Sequence, residues 1–298
     1  MLKLTGSMVA LVTPFKDGSG SVDEPRLRAL AEWQLDKGTD ALVPCGTTGE
    51  GATLTADELV TVTRICVEAA RAHGRGAPVI AGCGTNSTRS TIENVKRVRD
   101  AGADAALVVT PYYNKPTQEG LFRHYEAVAR EGGLPVVIYN VPSRTSVDML
   151  PDTIARCAKL PGIVGVKEAS GSIARVAEIR AAGADTLSIL AGDDLFTLAT
   201  LAMGGQGVIS VVANIAPGDL AMLCDAFADG NLAVAQTTMV RLAPLVRAMF
   251  LETNPLPVKH ALARMGRIGP ALRLPLVPLS AEGAARVDQA LAAYGGLV

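Results

Sequence analysis

Gly102-Ala103-Asp104-Ala105-Ala106-Leu107-Val108-Val109-Thr110 decides the architecture, because it joins a helix stop directly to a strand. A Gly at the end of a helical stretch can take the left-handed conformation that terminates it. The apolar run after it has the length and composition of a buried strand. The same unit, Gly, small residue, Asp, then strand, recurs at Gly38-Thr39-Asp40 and Gly183-Ala184-Asp185.

Working outward, apolar runs occupy residues 8–13, 40–44, 78–81, 105–110, 135–139, 163–167, 186–190 and 207–210. Between them lie segments of helical periodicity, such as 57–72, which Thr55 and Glu58 open as a capping box, and 91–100. Near-continuous apolar strands indicate a parallel sheet whose outer face is covered by helices. The expected fold class is therefore α/β, a single eightfold β/α (TIM) barrel. An open doubly wound sheet is the alternative, but Gly82-Cys83-Gly84 lacks the third glycine of its nucleotide fingerprint.

After residue 210 no strand pattern appears. Residues 217–228, 232–250, 255–265 and 281–294 read as helices. The first completes the barrel and the others form a C-terminal helical appendage. The division expected is a barrel catalytic domain over 1–229 and a helical domain over 230–298, with no flexible linker between them.

The chain has 298 residues, 49% hydrophobic and 19% charged, so it can bury a large core. Its net charge of -1, without a Lys/Arg stripe, gives no field to steer it onto nucleic acid or an anionic membrane. Small molecules are the expected partners. Five scattered cysteines, Cys45, Cys66, Cys83, Cys157 and Cys224, contain no CxxC pair and are assigned to packing in a reducing compartment. The opening MLKLTGSMVALVTPF reads as a buried strand rather than a signal peptide, and no apolar stretch has the length of a membrane span. A cytoplasmic location is expected.

A barrel carries its chemistry at the C-terminal ends of its strands. Strand six, Ile163-Val164-Gly165-Val166-Lys167-Glu168, ends on a lysine. Desolvation disfavours an ammonium, so a lysine held inside the barrel there can act as an amine nucleophile. A lysine snorkelling to water is the plainer alternative. Strict alternation would aim Gly165 and Ile163 inward with Lys167, the glycine leaving room for a substrate.

Tyr139 ends strand five and is either a proton shuttle or an aromatic cap on the core. GTTGE at 46–50 comes after strand two. Its hydroxyls and backbone N–H groups can grip a carboxylate, or form an ordinary loop. Tyr112 and Tyr113, after strand four, line a site, a subunit contact or the core. Asp193 or Asp194, after strand seven, fits a helix cap better than a metal ligand. His73, His124 and His260 fall in helices away from the strand ends, so no metal and no cofactor is expected.

In order along the chain, GTTGE (46–50), TPYYNKPTQEGL (110–121), YNVPSRT (139–145), GVKEAS (165–170), GDD (192–194), GVISV (207–211) and NPLPVK (254–259) resemble one known family. It is the 4-hydroxy-tetrahydrodipicolinate (dihydrodipicolinate) synthase family of pyruvate-dependent Schiff-base aldolases, and the match spans residues 6–280. The resemblance implies that Lys167 forms an imine with pyruvate. The derived enamine then adds to L-aspartate 4-semialdehyde, giving a precursor of lysine and diaminopimelate.

It further implies that Tyr139, Thr47 and Tyr113 relay protons, Tyr113 reaching in from a neighbouring subunit of a homodimer or homotetramer. Thr48 and the backbone carbonyl of Ile209 would bind pyruvate, and Arg144 the semialdehyde carboxylate. N-acetylneuraminate lyase and 2-keto-3-deoxy-sugar-acid aldolase share the lysine, tyrosine and loop but generally lack this arginine. They are the alternative enzymes, and a non-catalytic pyruvate-binding barrel is the alternative of another class. Gly51, Ala56, Leu59 and Ser90 stand where lysine-inhibited members carry polar groups, although Asn86 and Tyr112 match. Weak or absent feedback by lysine is expected.

Overall fold

In a computed structural model, which describes residue 2 and residues 4–295, the strands are β1 (Gly6–Ala10), β2 (Ala41–Val43), β3 (Ile80–Gly82), β4 (Ala105–Val109), β5 (Val136–Asn140), β6 (Ile163–Glu168), β7 (Ser188–Ala191) and β8 (Gly207–Ser210). All pair in parallel in the order β2-β1-β8-β7-β6-β5-β4-β3. A parallel bridge between Leu42 and Val79 closes the ring, supported by hydrogen bonds from Leu42 N to Pro78 O and from Gly82 N to Pro44 O. The chain is a β/α barrel with three further helices, Leu232–Ala248, Leu256–Arg264 and Ala281–Tyr294, at its C-terminal end.

Each expected strand is present. The first is displaced: pairing starts at Gly6 and the strand ends at Ala10, not Thr13. Leu11 N still donates to Val43 O at 3.0 Å, but residues 12–13 serve the loops above the sheet, where Val12 N donates to Asn214 Oδ1 and Thr13 Oγ1 donates to Gly49 O at 2.7 Å.

The Gly-small-Asp signature has a common geometry. Gly38, Gly102 and Gly183 take φ of 96°, 94° and 93°, where a side chain would be strained. In two of the three units the Asp then ties the new strand to its neighbour, Asp40 accepting from Ser7 N and Asp104 from Val79 N, each at 2.8 Å.

Two apolar clusters arise from the alternation of side chains across the sheet. Met8, Val43, Ile80, Leu107, Val137, Leu190 and Ile209 fill the barrel interior. Val9, Leu42, Ala81, Val108, Ile138, Val166 and Val208 pack outward against the helices. All five cysteines are buried, and burial pushes the Cys45 thiol up to about 12, which suits packing rather than thiolate chemistry.

Strand six departs from strict alternation. Val136 pairs with Ile163 but Val137 pairs with Gly165, so Val164 is an extra residue in a bulge. Ile163 therefore packs with the outer cluster and Val164 with the inner one, contrary to the alternation read from sequence. The bulge resets the phase above it. Tyr139, Lys167 and Leu190 then share one inward row, and Ile138, Val166 and Ile189 one outward row.

Gly165 does not open a substrate space either. A Cβ there would lie 3.0 Å from Ser188 O and 3.6 Å from Val137 Cγ1. The glycine lets neighbouring strands close up beneath Lys167.

Candidate active site

Lys167 is 5% exposed and Tyr139 7% exposed at the C-terminal ends of β6 and β5. They are register partners, and Nζ lies over the phenol ring, 4.5 Å from its centroid. Among the described residues no carboxylate forms an ion pair with Nζ. A buried lysine at a strand end, facing an aromatic ring and with no carboxylate pairing it among the described residues, is placed to act as a nucleophile.

Lys259 is the instructive contrast. It is 1% exposed, donates to Glu50 Oε1 at 2.6 Å and to Thr13 O at 3.0 Å, and covers the Phe15 ring. Burial pulls this ammonium below its ordinary range while Glu50 opposes that fall. One buried lysine is stapled into the structure, and the other is left open to the barrel mouth.

The loop after β2 is built under constraint. Cys45 and Glu50, at either end of residues 46–49, both adopt left-handed backbone, with φ of 60° and 52°. Such conformations persist only where surrounding structure enforces them. Here Glu50 is held by Lys259 and by Arg273 N, and Gly49 passes so close to Leu11 that a Cβ would meet its carbonyl at 2.9 Å. The result presents Thr47, half-buried, and Thr48, buried, at the top of the barrel. Among the described residues no hydrogen bond joins the hydroxyls of Thr47 and Tyr139.

Arg144 lies in the short helix Pro142–Thr145 after β5, a turn that sequence periodicity does not reveal. Its guanidinium is exposed, and Nη2 donates to Asn254 O at 3.3 Å. Thr48 Oγ1 accepts from Asn254 Nδ2 at 3.0 Å. Two residues expected to bind two different carboxylates thus meet on one asparagine. That asparagine opens the NPLPVK motif, and nothing in the local sequence gives it a role.

The pair after β7 divides its labour. Asp193 caps the next turn by accepting from Leu195 N. Asp194 is instead buried and holds the turn after β8, accepting from Ser210 Oγ and from Val211 N and Val212 N at 3.0 and 3.3 Å. Burial pushes its carboxyl up to about 6 despite those donors. This fixes the backbone immediately beyond Ile209, whose side chain fills the barrel interior.

Tyr113 stands apart from the buried Lys167 and Tyr139. It is 88% exposed and held at φ 72°, whereas Tyr112 is only 37% exposed. A bulky residue in left-handed backbone with its ring in solvent has no explanation in packing within this chain. The histidines lie in helices, as their positions in the sequence suggest. His124 is buried with Nδ1 2.9 Å from Thr88 Oγ1, and burial lowers it to about 4.

Comparison with known proteins agrees with this geometry. The 4-hydroxy-tetrahydrodipicolinate synthase of Anaeromyxobacter sp. (strain K) is 55% identical over 296 residues, covering 99% of both chains. The crystal structure of dihydrodipicolinate synthase from Aquifex aeolicus superposes with a TM-score of 0.95 at 40% identity, covering 99% of each chain. The chloride-inhibited dihydrodipicolinate synthase from Acinetobacter baumannii, crystallised with pyruvate, gives 0.95 at 43% identity over 99% of this chain and 100% of that one. The model of the dihydrodipicolinate synthetase family matches residues 3–294. With a full-length family match, relatives above half identity and a lysine buried at the mouth of the barrel, the chain belongs to the dihydrodipicolinate synthetase family.

Proposed function

We propose that this enzyme condenses pyruvate with L-aspartate 4-semialdehyde through a Schiff base on Lys167, in the synthesis of lysine and diaminopimelate. The observation that carries the reading is the buried Lys167 amine beside the Tyr139 ring, with no carboxylate pairing it among the described residues.

Nζ attacks the keto carbon of pyruvate, and the carbinolamine loses water to give the imine. Loss of a methyl proton produces the enamine, whose carbon bonds to the aldehyde carbon of the semialdehyde. The semialdehyde's own amine then displaces Nζ as the ring closes, which frees Lys167 and gives 4-hydroxy-tetrahydrodipicolinate. Net, one water leaves for each pair of substrates joined.

Tyr139, with Thr47 and Tyr113, carries protons to and from these intermediates. The exposure and left-handed backbone of Tyr113 support its delivery to a neighbouring subunit, so the working unit is a homodimer or a homotetramer. Thr48 binds the pyruvate carboxylate, and the backbone carbonyl of Ile209 lines the pyruvate site. Arg144, with a largely free fork of donors, receives the semialdehyde carboxylate. Residues 1–229 form the catalytic barrel and 230–298 a helical unit, and the protein works in the cytoplasm. No helix among the described residues is long and apolar enough to cross a membrane.

Borohydride reduction in the presence of pyruvate, with peptide mass mapping afterwards, should place the adduct on Lys167. An unmodified Lys167 sinks the reading. Feeding pyruvate with the semialdehyde, and separately a sugar-acid substrate, tests the second half-reaction, and faster turnover of the sugar acid would reassign it.

A further inference from the structure

We infer that Asn254 is a positioning residue that orients the Thr48 hydroxyl toward pyruvate and sets Arg144 in register with it. The inference rests on the roles of Thr48 and Arg144 given above.

A threonine hydroxyl has one hydrogen to donate and lone pairs to accept. Asn254 Nδ2 donates to Thr48 Oγ1 at 3.0 Å, so an acceptor site of the hydroxyl is filled and its own hydrogen must point elsewhere. Among the described residues Thr48 Oγ1 donates to no protein group. Its hydrogen is therefore left for an acceptor in the site, which is what a carboxylate requires.

The carbonyl of the same residue accepts from Arg144 Nη2 at 3.3 Å. One residue thus spans the two half-sites, by its side chain on one side and its backbone on the other. Asn254 is 6% exposed, so its side-chain contact with Thr48 is shielded from water. Its own Oδ1 is buried without a partner, which means the amide is placed by the Thr48 contact and not by complete satisfaction of its own groups.

The helix Leu256–Arg264 keeps Asn254 in place. It begins two residues later and carries Lys259, which pairs with Glu50 two residues beyond Thr48. The C-terminal helical appendage therefore serves the substrate loop.

The test uses full-length protein, with Asn254→Leu to remove the donor and Asn254→Asp to replace it by an isosteric acceptor. Asn254→Leu should raise the KM for pyruvate about tenfold while kcat falls far less, the value of one hydrogen bond to a charged group. Asn254→Asp should raise it further, because the Thr48 hydroxyl would turn to donate to the new carboxylate. In a Thr48→Val background the Asn254→Leu effect on that KM should vanish.

Pyruvate KM values unchanged in both variants, with or without a fall in melting temperature, overturn the inference. The borohydride adduct on parent protein separates this outcome from failure of the Schiff-base reading: an adduct with unchanged KM values removes only the role of Asn254, while no adduct removes the reading beneath it.

Discussion

Asn140 donates its side-chain amide to Glu168 Oε2 at 3.1 Å on the outer face of the barrel, immediately behind the strand pair that sets Tyr139 beside Lys167. The same amide reaches Asp148 at 3.0 Å, and Asn140 Oδ1 accepts from Met149 N. Asp148 in turn pairs with Arg175 at 2.8 Å. One asparagine therefore fixes both the strand register and the far end of the loop that carries Arg144. Asn140→Leu should cost about 1–3 kcal/mol by stripping donors from buried partners. It should also raise the KM for the semialdehyde, and unchanged urea stability with unchanged kinetics would refute the link.

Tyr139 and Lys167 are separable by chemistry. Tyr139→Phe keeps the ring over Nζ and removes only the phenolic proton. The pyruvate adduct should still be trapped by borohydride, with turnover reduced by about a hundredfold to ten-thousandfold, the usual worth of a positioned acid–base group. Turnover at the parent rate would remove Tyr139 from the proton relay.

The Lys259–Glu50 pair has side chains 1% and 0% exposed. Removing one partner leaves a buried charge uncompensated, so Lys259→Met should destabilise the protein by about 3–5 kcal/mol. Adding Glu50→Gln to that variant should recover part of the loss by neutralising the stranded carboxylate. Urea midpoints that fall equally in the single and double variants would contradict this account.

Arg273 grips Glu58, which also closes the capping box at the start of helix Ala56–His73. The Arg273 hydrogen bonds hold the Glu58 carboxyl down at about 2. A carboxyl depressed by folding stabilises the native state above its unfolded pKa of about 4.3, and that contribution is lost as pH falls through the folded value. Arg273→Ala should therefore melt below the parent at neutral pH, with the gap shrinking as the pH is lowered from about 4 toward about 2. A gap independent of pH over that interval would rule out the ion pair as its source.

Feedback by lysine should be weak or absent. Gly51, Ala56, Leu59 and Ser90 carry no imidazole or carboxylate that could pair with a charged amino acid. Half-maximal inhibition at submillimolar lysine in a steady-state assay would refute this.

Much of the molecule is legible in the sequence by itself, because it is written in local chemistry. Eight apolar runs are eight strands, and the Gly-small-Asp junctions turn the chain through the positive φ that glycine permits. Thr55 and Glu58 form the capping box their spacing suggests. Lys167, Tyr139 and the 46–50 loop gather at one end of the barrel because strand ends in this fold converge there. Only tertiary structure decided the rest. The bulge at Val164 reverses the facing of Ile163, since register depends on the neighbouring strand and not on the strand's own pattern. It also decided that Lys259 is stapled while Lys167 is free, and that Asn254 meets Thr48 across 206 residues of chain. Such contacts are invisible locally because a buried polar group is satisfied by whichever segment the packing delivers, however distant in sequence.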